Sequence, residues 1–206
     1  MKRVLFVALL ALALPIAVFA SSSTEFTADG GSLSGLSGGL TLSGSTLTTV
    51  DGLYGMGRDT GTLGSVSLST GALLSSVYAK GVLQSATFAT GGSLVITGNG
   101  TDGIPSGVIF TGSFTTSPVL TASCASSSCE YYLVGRFSGT LSNGTTEGGI
   151  VTVVTSGVGG KGYMGQIGVG SVDISMSSPV PEPGTLTLLG TGLVGLAGVI
   201  RRKLAA

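Results

Sequence analysis

Short apolar segments in which Leu, Val, Ile or Phe alternate with Ser or Thr recur along the middle of this 206-residue chain. Alternation with a period of two is the pattern of a half-buried β-strand. No segment in this region has a convincing 3.6-residue period. The pattern predicts strands over these segments: Leu40-Thr41-Leu42, Leu63–Leu68, Ser76–Ala79, Gly81–Ala89, Ser93–Thr97, Gly107–Phe114, Tyr131–Phe137, Ile150–Thr155 and Gln166–Met176.

Glycine-containing pairs separate these segments and supply the positive φ angles that tight turns need. The pairs are Gly91-Gly92, Asn99-Gly100, Asp102-Gly103, Asn143-Gly144 and Gly159-Gly160. Turn signals every 8–12 residues or so are typical of an antiparallel sandwich or barrel. We therefore predict an all-β domain that is either a jelly-roll-like sandwich or a barrel.

The stretch from Ser32 to Val50 has a different texture. Leucines recur among Ser, Gly and Thr at irregular intervals, namely Leu33, Leu36, Leu40, Leu42 and Leu47. Short repeats of this kind can form the first coils of a β-solenoid. A long first hairpin explains the same leucines more simply, so we predict the hairpin and keep a partial β-solenoid as the alternative.

The N-terminal segment has the features of a secretory signal helix. Lys2-Arg3 precedes the apolar run Val4–Leu14, Pro15 follows it, and Val18-Phe19-Ala20 places small residues at the −3 and −1 positions of a cleavage site. We predict export by the general secretory route with cleavage between Ala20 and Ser21. An uncleaved membrane anchor is the alternative.

The C-terminal segment combines a stiff motif, an apolar run and a basic cluster. Pro181 and Pro183 hold Glu182 on extended backbone, and the apolar run 185–200 follows. As a helix this run spans roughly 24 Å at ~1.5 Å per residue, somewhat less than the ~30 Å bilayer core. We predict a transmembrane helix, with a buried helix of a soluble domain as the alternative. The membrane stop is formed by Arg201, Arg202 and Lys203, which stay cytoplasmic.

Together, Pro181-Glu182-Pro183, the apolar run and Arg201-Arg202-Lys203 resemble the C-terminal signal of PEP-CTERM proteins. The resemblance implies processing by exosortase, a membrane cysteine protease of bacteria that make extracellular polysaccharide. It divides the chain into a signal peptide (1–20), an exported Gly/Ser/Thr-rich β domain (21–179) and a sorting signal (180–206). It also implies an inner-membrane intermediate and a final place at the surface or in the matrix of a Gram-negative bacterium.

The exported domain is mildly acidic although the whole chain is formally neutral. Four cations lie between Ser21 and Pro179 (Arg58, Lys80, Arg136 and Lys161) against eight acids, which gives 4 − 8 = −4. Nucleic-acid binding needs a clustered basic face, and these four cations are scattered. We therefore exclude nucleic acid as a partner.

Two motifs that suggest catalysis or nucleotide binding lack the context they need. The segment 157–162 matches G-x-G-x-x-G but is not followed by a helical pattern, so it is predicted to be a turn. The segment 35–39 matches the nucleophile elbow G-x-S-x-G, yet the chain contains no His to act as its base. We predict no catalytic residues, no cofactor and no metal. A glycosidase would need two facing carboxylates, and the candidate pairs are Asp51 with Asp59 and Glu130 with Glu147.

Cys124 and Cys129 are the two cysteines, and in an exported protein a local disulfide is expected. The turn 99–103 presents oxygens that suit Ca²⁺, although a plain β-turn is the simpler explanation. We predict a surface or matrix structural protein with exosortase, the membrane and exopolysaccharide as partners. A carbohydrate-binding module that uses Tyr131 and Tyr132 or Tyr54 for stacking is the alternative, and a secreted hydrolase is third.

Overall fold

A computed structural model describes residues 23–125, 128–159, 163 and 165–177. Within them the chain forms thirteen strands and one turn of 3₁₀ helix, Leu53–Gly55. The strands are β1 Ser23–Asp29, β2 Ser32–Leu36, β3 Gly39–Asp51, β4 Asp59–Ser69, β5 Leu73–Ala79, β6 Val82–Phe88, β7 Gly91–Asn99, β8 Ser106–Phe114, β9 Val119–Ala125, β10 Ser128–Leu141, β11 Thr146–Thr155, β12 Val158–Gly159 and β13 Gln166–Ser177.

The described strands form one antiparallel sheet that closes on itself. Pairing runs from β1 through β3, β4, β7, β8, β10, β11 and β13, and β13 pairs with β1 again. The residues that complete the ring are far apart in sequence, since Ser23 lies opposite Ser177. The all-β antiparallel prediction is confirmed, and the strands adopt the closed arrangement.

Strand β10 is shared between the ring and a lateral extension. Its second half pairs with β8 in the ring, whereas its first half, Ser128–Val134, pairs with β9 on the same side. Strand β9 then pairs with β6, and β6 pairs with β5. The extension therefore ends at β5.

The hydrophobic core lies on one face of this sheet because apolar and polar side chains alternate. In β1, for example, Phe26 and Ala28 are buried while Glu25 and Asp29 are exposed. Leu33 of β2 lies opposite Leu42 of β3 with both side chains buried. The predicted first hairpin is thus confirmed, and the β-solenoid alternative is wrong because the leucines belong to antiparallel strands.

Inside the closed sheet, aromatic side chains fill the space beside glycines that have no side chain. Gly112 of β8 lies opposite Gly139 of β10, and the ring of Phe110 covers both. Phe110 also meets Phe137 edge-on, with ring centroids 5.5 Å apart. Edge-to-face contacts of this kind add to the stabilisation that burial provides.

All nine predicted strand segments correspond to observed strands, and four of the five predicted glycine pairs have the expected positive φ angles. Gly100, Gly103 and Gly144 have them in turns, whereas Gly91 and Gly92 have them at the start of β7. The turn at Asn99 is closed by its own side chain, because Asn99 Oδ1 accepts from the backbone N–H and the hydroxyl of Thr101 at 3.1 and 2.6 Å. Strands β1, β2, β9 and β12 were not predicted as separate strands, and the G-x-S-x-G segment is the β2–β3 turn.

Both predicted sorting segments lie outside the described residues, as do Gly160, Lys161 and Gly162 of the G-x-G-x-x-G segment. The described residues, from Ser23 to Ser177, belong to one compact unit. In the part of the chain that the structure describes, no helix is long and apolar enough to cross a membrane.

Candidate functional site

The predicted stacking residue Tyr131 is in the core. Its side chain is 0% exposed. The hydroxyl donates to the carbonyl of Leu83 at 3.2 Å and accepts from the backbone N–H of Tyr163 at 2.8 Å. The prediction that Tyr131 stacks on a ligand is therefore wrong: β10 turns this residue inward, and its neighbour Tyr132 faces outward.

Tyr132 and Tyr54 face solvent but lie at different ends of the ring. The hydroxyl of Tyr132 donates to Glu130 Oε2 at 2.8 Å, and this hydrogen bond together with the carboxylate charge raises the pKa of Tyr132. The hydroxyl of Tyr54 contacts that of Ser142, which follows the last residue of β10. Ten residues of extended chain separate Tyr132 from Ser142, roughly 33 Å. These two tyrosines therefore do not form one stacking platform.

The two carboxylate pairs considered for a hydrolase are also poorly placed. Glu130 is exposed on the outer face of β10, whereas Glu147 of β11 is 4% exposed and faces the core. Asp59 lies opposite the buried Val50, so these two residues are on the same face of the sheet. Asp51 follows Val50 in β3 and is therefore on the other face. Neither pair is arranged to face the other across a bound sugar.

An open groove of about 370 Å³ lies on the outer face of strands β11, β13 and β1. Register places its side chains in two rows that cross the strands. One row contains Ile150, Ser175 and Glu25, and the other contains Thr152, Asp173 and Thr27. The intervening residues Phe26 and Ile174 point into the core, so their backbone lies between the two rows.

Two carboxylates, Glu25 and Asp173, give the groove negative charge, although most of the surface that lines it is apolar. Asp173 is held by two hydroxyls, since Thr27 Oγ1 donates to its Oδ1 at 3.4 Å and Ser171 Oγ to its Oδ2 at 3.5 Å. Glu25 lies opposite Asp51 of the neighbouring strand β3, and Arg136 of β10 lies opposite Ile150 at the other end of the row. Carboxylates and hydroxyls of this kind accept hydrogen bonds from alcohols and amides.

The predicted sorting residues, Ala20, Ser21, Pro181–Pro183 and Arg201–Lys203, lie outside the described residues. At the sequence level, the family model of the PEP-CTERM protein-sorting motif matches residues 179–203. The chain carries a PEP-CTERM sorting signal. No curated protein and no solved structure matches the chain.

The PEP-CTERM signal implies export by the general secretory route, a membrane-anchored intermediate and processing by exosortase. It covers 25 residues and leaves the role of the β domain open. Among the described residues, no group of three or more Cys, Asp or Glu side chains could hold a metal ion.

The two cysteines of the chain face each other across the β9–β10 hairpin. Cys124 lies opposite Cys129, and their sulfurs are bonded at 2.08 Å.

Sequence reasoning missed the groove because its six side chains come from three strands that are distant along the chain. Only the alternation in β13, which exposes Asp173 and Ser175, gave a partial signal.

Proposed function

We propose that this protein is a non-catalytic structural component of the bacterial cell surface or extracellular matrix. In this account exosortase cuts it near Pro181-Glu182-Pro183, and the β domain then resides in the exopolysaccharide layer of a Gram-negative bacterium. The observation that carries the proposal is the PEP-CTERM match at residues 179–203.

The outer surface of the β domain supports this role. Strands β4, β7 and β8 contain no charged residue other than Asp59 at the start of β4, and their outward positions are mostly Ser and Thr. A hydroxyl can both donate and accept a hydrogen bond, so it can bind either water or a sugar. A surface of this composition stays hydrated without attracting ionic partners, which suits a protein embedded in hydrated polysaccharide.

Fractionation of the producing bacterium tests the proposal. We expect most of the mature protein to co-purify with the polysaccharide of wild-type cells. In a strain that lacks the polysaccharide, the protein should be free in the medium, and in a strain that lacks exosortase it should stay in the membrane fraction. Equal amounts in the free medium of wild-type and polysaccharide-deficient cultures would refute the matrix association.

A second candidate function is specific binding of a neutral glycan at the groove. The observation that favours it is the combination of two carboxylates and three hydroxyls on one open groove. Vicinal sugar hydroxyls donate to carboxylates, whereas an anionic polysaccharide would be repelled by Glu25 and Asp173. Saturable binding of a defined glycan would support this candidate over general retention in the matrix.

A further inference from the structure

Strand β5 has an open edge. Within the described residues, β5 pairs with β6 alone, and the only other strand with a single partner is the two-residue β12. Beyond that pairing, its first residue makes one further backbone hydrogen bond, from Leu73 N–H to the carbonyl of Ser37 at 3.1 Å. The row of backbone groups from Leu74 to Ala79 therefore faces solvent on the side away from β6.

The side chains of β5 do not protect this edge. Six of its seven residues are exposed, and Leu74, Val77 and Tyr78 are 61, 57 and 53% exposed. The strand contains neither a charged residue nor a proline, which are the usual devices that stop edge-to-edge pairing. The β5–β6 ladder is irregular at two places: Leu74 is an extra residue in β5, and Gln84 is an extra residue in β6 opposite the step from Val77 to Tyr78. The second extra residue belongs to β6, so Ser75–Ala79 of β5 contain no inserted residue.

We propose that the β5 edge is a dimerisation surface at which two copies of this chain pair antiparallel through Ser75–Ala79. The unpaired backbone N–H and C=O groups of an edge strand can hydrogen-bond to those of another edge strand. In a second copy of this chain, β5 is such a strand. The charge distribution is compatible with pairing between two copies. The hairpin Leu73–Phe88 contains no acidic residue, and its one charged side chain is Lys80 in the turn. Two domains of charge −4 thus approach each other where neither presents a carboxylate.

The geometry also limits the size of the assembly. A two-fold axis places the same residues on both sides of the interface, so the β5 edge of each copy is occupied once the dimer has formed. In the described residues the other one-sided stretches are short, such as the two-residue β12 and Ala122–Ala125 of β9, so β5 is the one full-length strand edge that a second copy can use. The predicted product is a closed dimer rather than a fibre.

The experiment measures the mass of the mature protein, purified from the producing cells, by light scattering and sedimentation over a concentration series. The wild type should have twice the mass of one chain. Val77→Lys places one positive charge from each copy in the two-fold interface. It should raise the dissociation constant of the dimer by at least about tenfold. Val108→Lys is the matched control, because Val108 is 53% exposed but lies in β8, between two paired strands, and this variant should remain dimeric.

Amide hydrogen exchange of the wild type gives a second readout that needs no variant. Alternate amides of Ser75–Ala79 should become protected as the concentration rises through the dimerisation range. A monomer at all concentrations would overturn the proposal, and so would a dimer that Val77→Lys and Val108→Lys weaken equally. Protected β5 amides in a monomer would mean that another segment of the same chain covers the edge, and long polymers would contradict the single-edge geometry.

Discussion

The hydroxyl of Tyr131 links two separate parts of the chain: it accepts from the backbone N–H of Tyr163 at 2.8 Å, and the two rings meet edge-on with centroids 5.8 Å apart. The same hydroxyl donates to the carbonyl of Leu83. It thereby connects β10, β6 and the segment before β13 inside the core.

Tyr131→Phe should lower the free energy of unfolding by about 1–3 kcal/mol, because one buried donor and one buried acceptor lose their partner. Urea denaturation of the mature protein measures this change. Tyr132→Phe is the matched control, since its hydroxyl bonds to an exposed carboxylate, and it should change stability by less than about 0.5 kcal/mol. Equal losses in the two variants would show that the Tyr131 hydroxyl is not a buried link.

Burial raises the pKa of Tyr163 to about 12. An unfolded tyrosine loses its proton near pH 10, so between these values the folded state retains a proton that the unfolded state has lost. Stability should therefore be unaffected by Tyr163 below about pH 10 and should fall as the pH rises from there towards 12. Tyr163→Phe should show a shallower fall over this interval in parallel denaturation curves, and identical slopes would contradict the assignment.

Gly139 has no room for a side chain. A Cβ at this position would lie 2.2 Å from the carbonyl oxygen of Thr111 and 2.6 Å from the Phe110 ring. Gly139→Ala should cost about 1–3 kcal/mol through overpacking, measured by thermal or urea unfolding. Gly38→Ala is its control, because a Cβ there meets nothing within 4 Å and the backbone φ is not in the left-handed region. A neutral Gly139→Ala would contradict the close approach of the β8 backbone and the Phe110 ring to Gly139.

The groove makes a prediction about glycan binding. If a neutral polysaccharide from the producing cells binds there, Asp173→Asn and Thr152→Val should each weaken binding, because both side chains line the groove. A loss of roughly 1 kcal/mol per hydrogen bond is about fivefold in affinity. Ser67→Ala, on the outer face of β4, should bind like the wild type. Affinity electrophoresis in gels that contain the polysaccharide measures all three, and equal retention would place any binding elsewhere.

The local pattern predicted the strands well where apolar residues alternate with hydroxyls, as in Gly107–Phe114 and Gln166–Met176. Strand β1 was missed because Phe26 and Ala28 are its only apolar residues, and its place is set by long-range pairing with β3 and β13. Such closure depends on contacts between residues about 150 positions apart, which periodicity does not report.

The candidate site was harder to predict than the fold. Counting by twos from the buried Leu133 places Tyr131 inside and Tyr132 outside, so the sequence contained the signal that distinguishes them. The groove, in contrast, depends on the register of β11, β13 and β1, in which Ser175 lies between Ile150 and Glu25. Register across distant strands follows from the closed ring and not from any local motif.

Delivery of this β domain by its PEP-CTERM signal can be tested by measuring the intact mass of the protein from native cells. With active exosortase, we expect a species that lacks both Met1–Ala20 and the segment after Pro181-Glu182-Pro183. Without the enzyme, the C-terminal segment should remain. A species that retains Leu186–Ala206 whether or not exosortase is present would contradict the account.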